Sequence, residues 1–234
     1  MAREIVLDTE TTGLSPREGH RVVEIGCVEL LNLMPTGRHF HKYINPERDM
    51  PQEAFNVHGL SQEFLSDKPL FAEIADEFLD FVAGDPLVIH NAAFDTMFLN
   101  FELGLLSKPT LTPDRIVDSL MLARRRHPGA SNNLDALCAR YGVDRSRRVK
   151  HGALLDSEIL SEVYAELMGG KQAVLGLSMH GAASRSLPGE RRTKQRPAPL
   201  PSLLTPEEIT AHQTFIEKMG EKTIWRDYIR QAEA

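Results

Sequence analysis

Two acids one residue apart close the apolar run Ile5-Val6-Leu7-Asp8-Thr9-Glu10. Side chains alternate along a strand, so Asp8 and Glu10 leave the same face, ~6.6 Å apart. Carboxylates that close repel each other, and a hard divalent cation such as magnesium or manganese relieves the repulsion. A solvated strand end would carry the same acids without a metal, so the pair gains meaning only from partners elsewhere. Asp95 is one, in His90-Asn91-Ala92-Ala93-Phe94-Asp95, where a short buried strand turns into a helix. Open α/β sheets place sites at such crossings, although a helix dipole also favours an acid there. Asp156 is another, set among Leu154, Leu155, Ile159 and Leu160, where an unpaired charge is costly and a cation would offset it. His151 precedes it by five residues, about 140° around an ideal helix, and so belongs to the preceding loop. A histidine beside metals, titrating near neutral pH, can take a proton from water; an ordinary polar loop residue would read the same way.

The elements that must position these groups follow from periodicity. Ile5–Leu7, Arg21–Leu31 and His39–Ile44 read as strands, with a turn at Pro35-Thr36-Gly37. Residues 45–68 read as irregular with a short helix after Pro51, and Leu70–Ala83 places Phe71, Ile74, Ala75, Phe78, Leu79 and Val82 at helical spacing. Leu87-Val88-Ile89 is a buried strand, and Asn91 is suited to cap the helix carrying Phe94, Met97, Phe98, Phe101 and Leu105. Ile116–Arg124 continues the alternation, Ser131 or Asn132 caps Leu134–Tyr141, and a last body helix runs from about Gly152 to Met168. Strands first, then strands alternating with helices, give a mixed sheet flanked by helices.

Composition bounds the function. The 234 residues are 41% hydrophobic and 26% charged, enough for one body and an appendage. Cys27 and Cys138 form no C-x-x-C pair, and neither an apolar leader nor a membrane-length run occurs, which predicts a reduced, cytoplasmic protein without a membrane anchor. Residues 1–170 carry a net charge of −9 and residues 171–234 a net +3. Backbone affinity for nucleic acid comes from Lys and Arg, so so acidic a body can handle a nucleic acid only through bridging cations. Arg124-Arg125-Arg126 and Arg145–Lys150 are basic runs that serve as solvated faces or as a track for single-stranded phosphates.

Asp8-x-Glu10 after a strand, Asn91-x-x-x-Asp95 with Phe94 before the acid, and His151-x-x-x-x-Asp156 on the last body helix resemble the three motifs of the DnaQ-like (DEDDh) 3′–5′ exonuclease family. The resemblance covers residues 1 to about 170. It implies an α/β, ribonuclease H-like fold with a five-stranded mixed sheet flanked by helices, followed by a mostly extended C-terminal tail. Carried over by position, Asp8, Glu10, Asp95 and Asp156 would hold two divalent ions, Mg2+ or Mn2+, and His151 would be the general base. The reaction implied is removal of mismatched nucleotides from the single-stranded 3′ end of primer DNA. Thr9, Thr11 and Leu14 would meet the terminal nucleotide, with Leu14 wedged against its base. His58 would lie over the site near the 3′ end, or be a loop histidine satisfied by backbone; Phe94 would stack on a base or fill the core behind Asp95.

Beyond Gly170 the composition changes. Residues 171–204 read as a flexible linker, and Gln172-Ala173-Val174-Leu175-Gly176-Leu177 resembles the peptide by which bacterial proteins dock on the sliding clamp, through Gln172, Leu175 and Leu177. Thr205-Pro206-Glu207-Glu208 starts a helix in residues 205–234, whose stripe includes Phe215, Ile216, Trp225 and Tyr228. Too short to build a core, this stripe docks on a partner or folds back on the body. In the resemblance the partner is the catalytic subunit of DNA polymerase III, and a small accessory subunit on the nuclease body is allowed. A free-standing nuclease trimming RNA or DNA, and a non-catalytic subunit bracing polymerase and clamp, are the competing functions.

Overall fold

The computed structural model describes residues 2–148, 150–169, 204–220 and 225, which fall into two compact units divided after residue 177. The first unit is built on a five-stranded sheet in the order β3-β2-β1-β4-β5. Strands β1 (Arg3–Thr11), β2 (Val22–Leu31) and β3 (Met34–Tyr43) are antiparallel neighbours, whereas β4 (Leu87–Ile89) and β5 (Ile116–Asp118) run parallel to β1. The sheet is therefore mixed, as expected, and β1 is its central strand. β4 reads Leu-Val-Ile because it is buried on both faces.

Helices cover both faces. On one, Ile5 and Leu7 of β1 pack with Phe71, Ile74 and Phe78 of α3 (Phe71–Val82) and with Phe98, Leu99 and Leu103 of α4 (Ala92–Leu105). On the other, Val6 and Val28 pack with Leu160 and Tyr164 of α7 (Ala153–Leu167), which also meets α5 (Ser119–Arg126) and α6 (Leu134–Tyr141). Two short helices, α1 (Gln52–His58) and α2 (Gln62–Leu65), occupy the stretch read as mostly irregular.

One close approach sets the position of α7. Gly26 lies on β2 opposite Asp8, and a Cβ there would come within 2.2 Å of Leu154 N and 2.3 Å of Ala153 C. The absent side chain lets the first turn of α7 touch the sheet backbone, and the Ser157 hydroxyl fastens it by donating to the Gly26 carbonyl at 2.9 Å.

Three local expectations are corrected. The β2–β3 turn is Asn32-Leu33, both at positive φ, and Pro35–Gly37 lie inside β3. A two-residue hairpin turn of that hand suits the twist of the strands, and β3 is an edge strand, where proline is tolerated. Asn91 adopts φ 68 and ψ 51 and its side chain makes no capping bond, so α4 starts without a side-chain cap. Asn133, one residue beyond the expected caps, accepts from Ala136 N and starts α6.

The second unit contains α8 (Pro206–Lys218), whose Thr205 cap accepts from Glu208 N while the Glu208 carboxylate accepts from Thr205 N, as the sequence predicts. Phe215 is exposed, Ile216 is buried, and Trp225 meets His212 edge-on at 6.3 Å between centroids. The linker and clamp-binding residues Gln172, Leu175 and Leu177, and Tyr228, lie outside the described residues.

Candidate active site

Asp8 and Glu10 point from the end of β1 toward α7, because they share the face of Val6. Asp95, one turn into α4, approaches from the opposite face and is held by Thr9: its Oδ1 accepts from Thr9 N at 3.0 Å and from Thr9 Oγ1 at 2.7 Å. Asp156 sits in the first turn of α7, and its position follows from the contact at Gly26. Glu10, His151 and Asp156 each offer a ligand atom, all within 4.8 Å of one another. Asp8, Glu10, Asp95 and His151 line one cavity of about 670 Å³, together with Thr9, Thr11, Leu14, His58 and Phe94.

The electrostatics show what the arrangement lacks. Burial raises Asp8 well above the usual carboxylate range, and Asp95 and Glu10 raise it further. Burial also pushes Glu10 up to about 8, reinforced by Glu24 and Asp156, while Arg148 pulls the other way. Asp95 reaches about 7 through burial, against the hydrogen bonds from Thr9 that lower it. Asp156 differs: burial would raise it, but hydrogen bonds from His151 and Arg148 hold it below its ordinary value. Buried acids that elevate one another form a site short of positive charge, and oxygen donors in such a cluster fit hard divalent cations.

The cavity walls give the remaining residues their surroundings. Thr9 is buried with its hydroxyl committed to Asp95, and the Thr11 hydroxyl donates to the Gly13 carbonyl at 2.7 Å. Leu14 stands 79% exposed at the rim. Phe94 packs on Phe98 at 5.1 Å between centroids while also lining the cavity. His58, the last residue of α1 and buried, accepts from Leu60 N through Nδ1 at 3.0 Å. Its proton therefore rests on Nε2, which is buried toward the Thr11 backbone, and burial lowers its basicity. The His151 loop is joined to α1: His151 N donates to Val57 O at 3.3 Å, and the Lys150 ammonium lies 4.8 Å from the Phe55 ring centroid.

Sequence reading missed two groups. Glu24 is paired with Glu10 across β1 and β2, buried, and bonded to His41 Nε2 at 2.7 Å. Strand register would have exposed it, since directly opposed residues share a face. Arg148 enters the cluster from a run that reads as ordinary surface charge, and nothing in its spacing singles it out. His20, which carries no ligand-like spacing, also lines the cavity and meets Thr12 Oγ1 through Nδ1 at 3.2 Å.

A mixed sheet with these acids at the end of its central strand defines a nuclease-type site, and the chain belongs to the exonuclease family, whose sequence model matches residues 5–164. The family is divalent-metal dependent. Along nearly its whole length the chain is similar to the DNA polymerase III subunit epsilon of Rickettsia conorii (strain ATCC VR-613 / Malish 7): 50% identity over 221 residues, 93% of this chain and 96% of that protein. The DNA polymerase III subunit epsilon of Escherichia coli (strain K12) is 47% identical over 241 residues, 97% of this chain and 98% of that one. Among solved structures, the nuclease domain of 3′hExo, described as a DEDDh family member bound to rAMP, has a TM-score of 0.62 at 17% identity. It covers 71% of this chain and 91% of the other, so the ribonuclease H-like fold is shared.

Proposed function

We propose that this chain is the proofreading 3′–5′ exonuclease of a bacterial DNA polymerase III, removing mismatched nucleotides from the 3′ end of newly made DNA as nucleoside 5′-monophosphates. The observation that carries the chemistry is the convergence of Glu10, His151 and Asp156 within 4.8 Å beside Asp8 and the buried Asp95. Similarity to epsilon subunits along nearly the entire chain supports the replicative assignment over a free-standing trimming nuclease.

Asp8, Glu10, Asp95 and Asp156 would hold two divalent ions, Mg2+ or Mn2+. Bound there, such ions lower the pKa of a water and stabilise charge on the attacking and leaving oxygens. His151, half-exposed at the cavity rim, accepts the proton of the attacking water. His58, lining the cavity, would donate through Nε2–H to an oxygen of the terminal nucleotide, and Leu14 offers an apolar surface for its base. Thr9 acts through Asp95, fixing its carboxylate, and the neighbouring Thr11 shapes the backbone that faces the sugar. Phe94, packed on Phe98, lines the cavity beside Asp95 and would meet a base of the substrate.

The tail supplies the partners in this reading: residues 172–177 for the sliding clamp, and, apart from the buried Ile216, which offers no surface to a partner, Phe215, Trp225 and Tyr228 for the polymerase catalytic subunit. The exposure of Phe215 on a helix supports the latter. A tether of this kind works by raising effective concentration at the primer end. The test is magnesium-dependent release of the 3′ nucleotide from matched and mismatched primer–template DNA, native chain against Asp156→Ala. Faster removal of the mismatch, abolished in the variant, is the expected result; undiminished activity in the variant would overturn the assignment.

A further inference from the structure

Arg148, in the loop between α6 and α7, enters the acidic cluster with its side chain only 9% exposed. Its Nε donates to Asp156 Oδ1 at 2.6 Å and its Nη2 to Asp156 Oδ2 at 2.7 Å, a two-pronged grip on one carboxylate. Nη1 is anchored by Asp135 Oδ1 at 2.9 Å. Nη2 also lies 2.9 Å from His151 Nδ1 and 3.4 Å from Nε2, so the guanidinium rests against the imidazole ring instead of serving a single nitrogen. Arg148, the arginine or lysine found in the cluster among the described residues, thus reaches both oxygens of the acid and the ring nitrogens of the base.

One consequence follows from that placement. A divalent ion bound to Asp156 within reach of Glu10 and His151 would sit against the guanidinium, and two cations at contact distance in a half-buried site repel strongly.

We propose that Arg148 is a resident counter-ion that trades places with a divalent cation at Asp156. Docked, it screens Asp156 and occludes His151; as the cation binds, the guanidinium swings out and uncovers both. Resting on the cation-binding reading of the site, the inference adds a competing side chain to it. The loop position suits the exchange, because Arg148 is tethered to the body by an exposed partner, Asp135, and lies three residues from His151.

The test is a manganese titration of the full native chain and of Arg148→Met, freed of metal, with free Mn2+ read by electron paramagnetic resonance and unfolding followed in parallel. Loss of the competitor should tighten Mn2+ binding roughly tenfold, the worth of a charged hydrogen-bond pair, and lower the melting temperature without metal. Equal or weaker Mn2+ binding in the variant overturns the exchange. Absence of binding in both proteins overturns the cation-binding reading itself. A purely structural arginine would lower stability without tightening metal binding. If Arg148→Met does not fold, the native chain decides: the Arg148 Nε–Hε nuclear magnetic resonance signal should leave its carboxylate-bonded position as Mg2+ is added, and an unmoved signal overturns the proposal.

Discussion

The β1–β2 pair buries acids at both ends, and the two ends are treated in opposite ways. At the far end, Glu29 is 3% exposed and surrounded by donors: Arg3 Nε at 2.6 Å, Thr36 Oγ1 at 2.7 Å and Arg38 Nη1 at 3.1 Å, with Asp85 completing the Arg3 pairing. Burial would raise Glu29, yet Arg3 and Thr36 hold it below its ordinary value. At the near end, Glu10 is 8% exposed and stands at about 8, raised by burial and then by Glu24, Asp156 and Asp95 against the pull of Arg148. The same strand pair can neutralise a buried carboxylate when stability is all that is asked of it. Asp8, Glu10 and Asp95 are all left raised around one cavity, a cost that a bound cation would offset, so the contrast marks where the chemistry is.

Substitutions should separate the two ends. Glu10→Gln keeps the shape and removes the charge; nucleotide release should fall about 10³-fold or more, while unfolding without metal above pH 8 becomes harder by about 1–3 kcal/mol. A variant that is inactive and also less stable at high pH would undo the comparison. Gly26→Val should force the first turn of α7 off β2, costing about 3 kcal/mol and most of the activity, visible as a lower urea midpoint together with a lower rate. At the neutralised end, Glu29→Gln should cost about 2 kcal/mol and leave the rate per folded molecule unchanged, checked by the same two assays.

The smallest effect concerns pH. Glu10 and Asp95 stand at about 8 and about 7, raised above the ordinary 4.5 and 3.8, so the folded, metal-free chain binds more protons than the unfolded one between these values. Their contribution is favourable below pH ~4 and is lost as pH rises toward 8, so metal-free stability should decline across that window. Added Mg2+ should flatten the decline. A metal-free stability that rose from pH 5 to 8 would show that these acids are compensated after all.

The fold and the acids were legible for different reasons. β1, β4 and α7 announce themselves through apolar runs and periodicity, and Asp8, Glu10, Asp95 and Asp156 are conspicuous because charges break those patterns. Gly26 was not legible, since its role depends on which helix crosses it, and that is decided by tertiary packing. The Asn32-Leu33 turn was hidden because leucine seldom takes positive φ, while Pro35–Gly37 mimic a turn composition. Arg148 sits among Arg145 and Arg147, and only its docking distinguishes it from its neighbours. His58 lines the cavity while Leu60 N satisfies its Nδ1, an arrangement that neither reading of its sequence context specified.

The central place of β1 has a consequence for biosynthesis. The strand bearing Asp8 and Glu10 is the first made, and the helix bearing Asp156 is the last of the nuclease body, with His151 just ahead of it. Ribosomal synthesis proceeds from one to the other, so a nascent chain carries Asp8 and Glu10 alone until Asp95 is made, and three of the four acids from there until Asp156. The centre can be complete only once α7 has been made and packs onto Gly26.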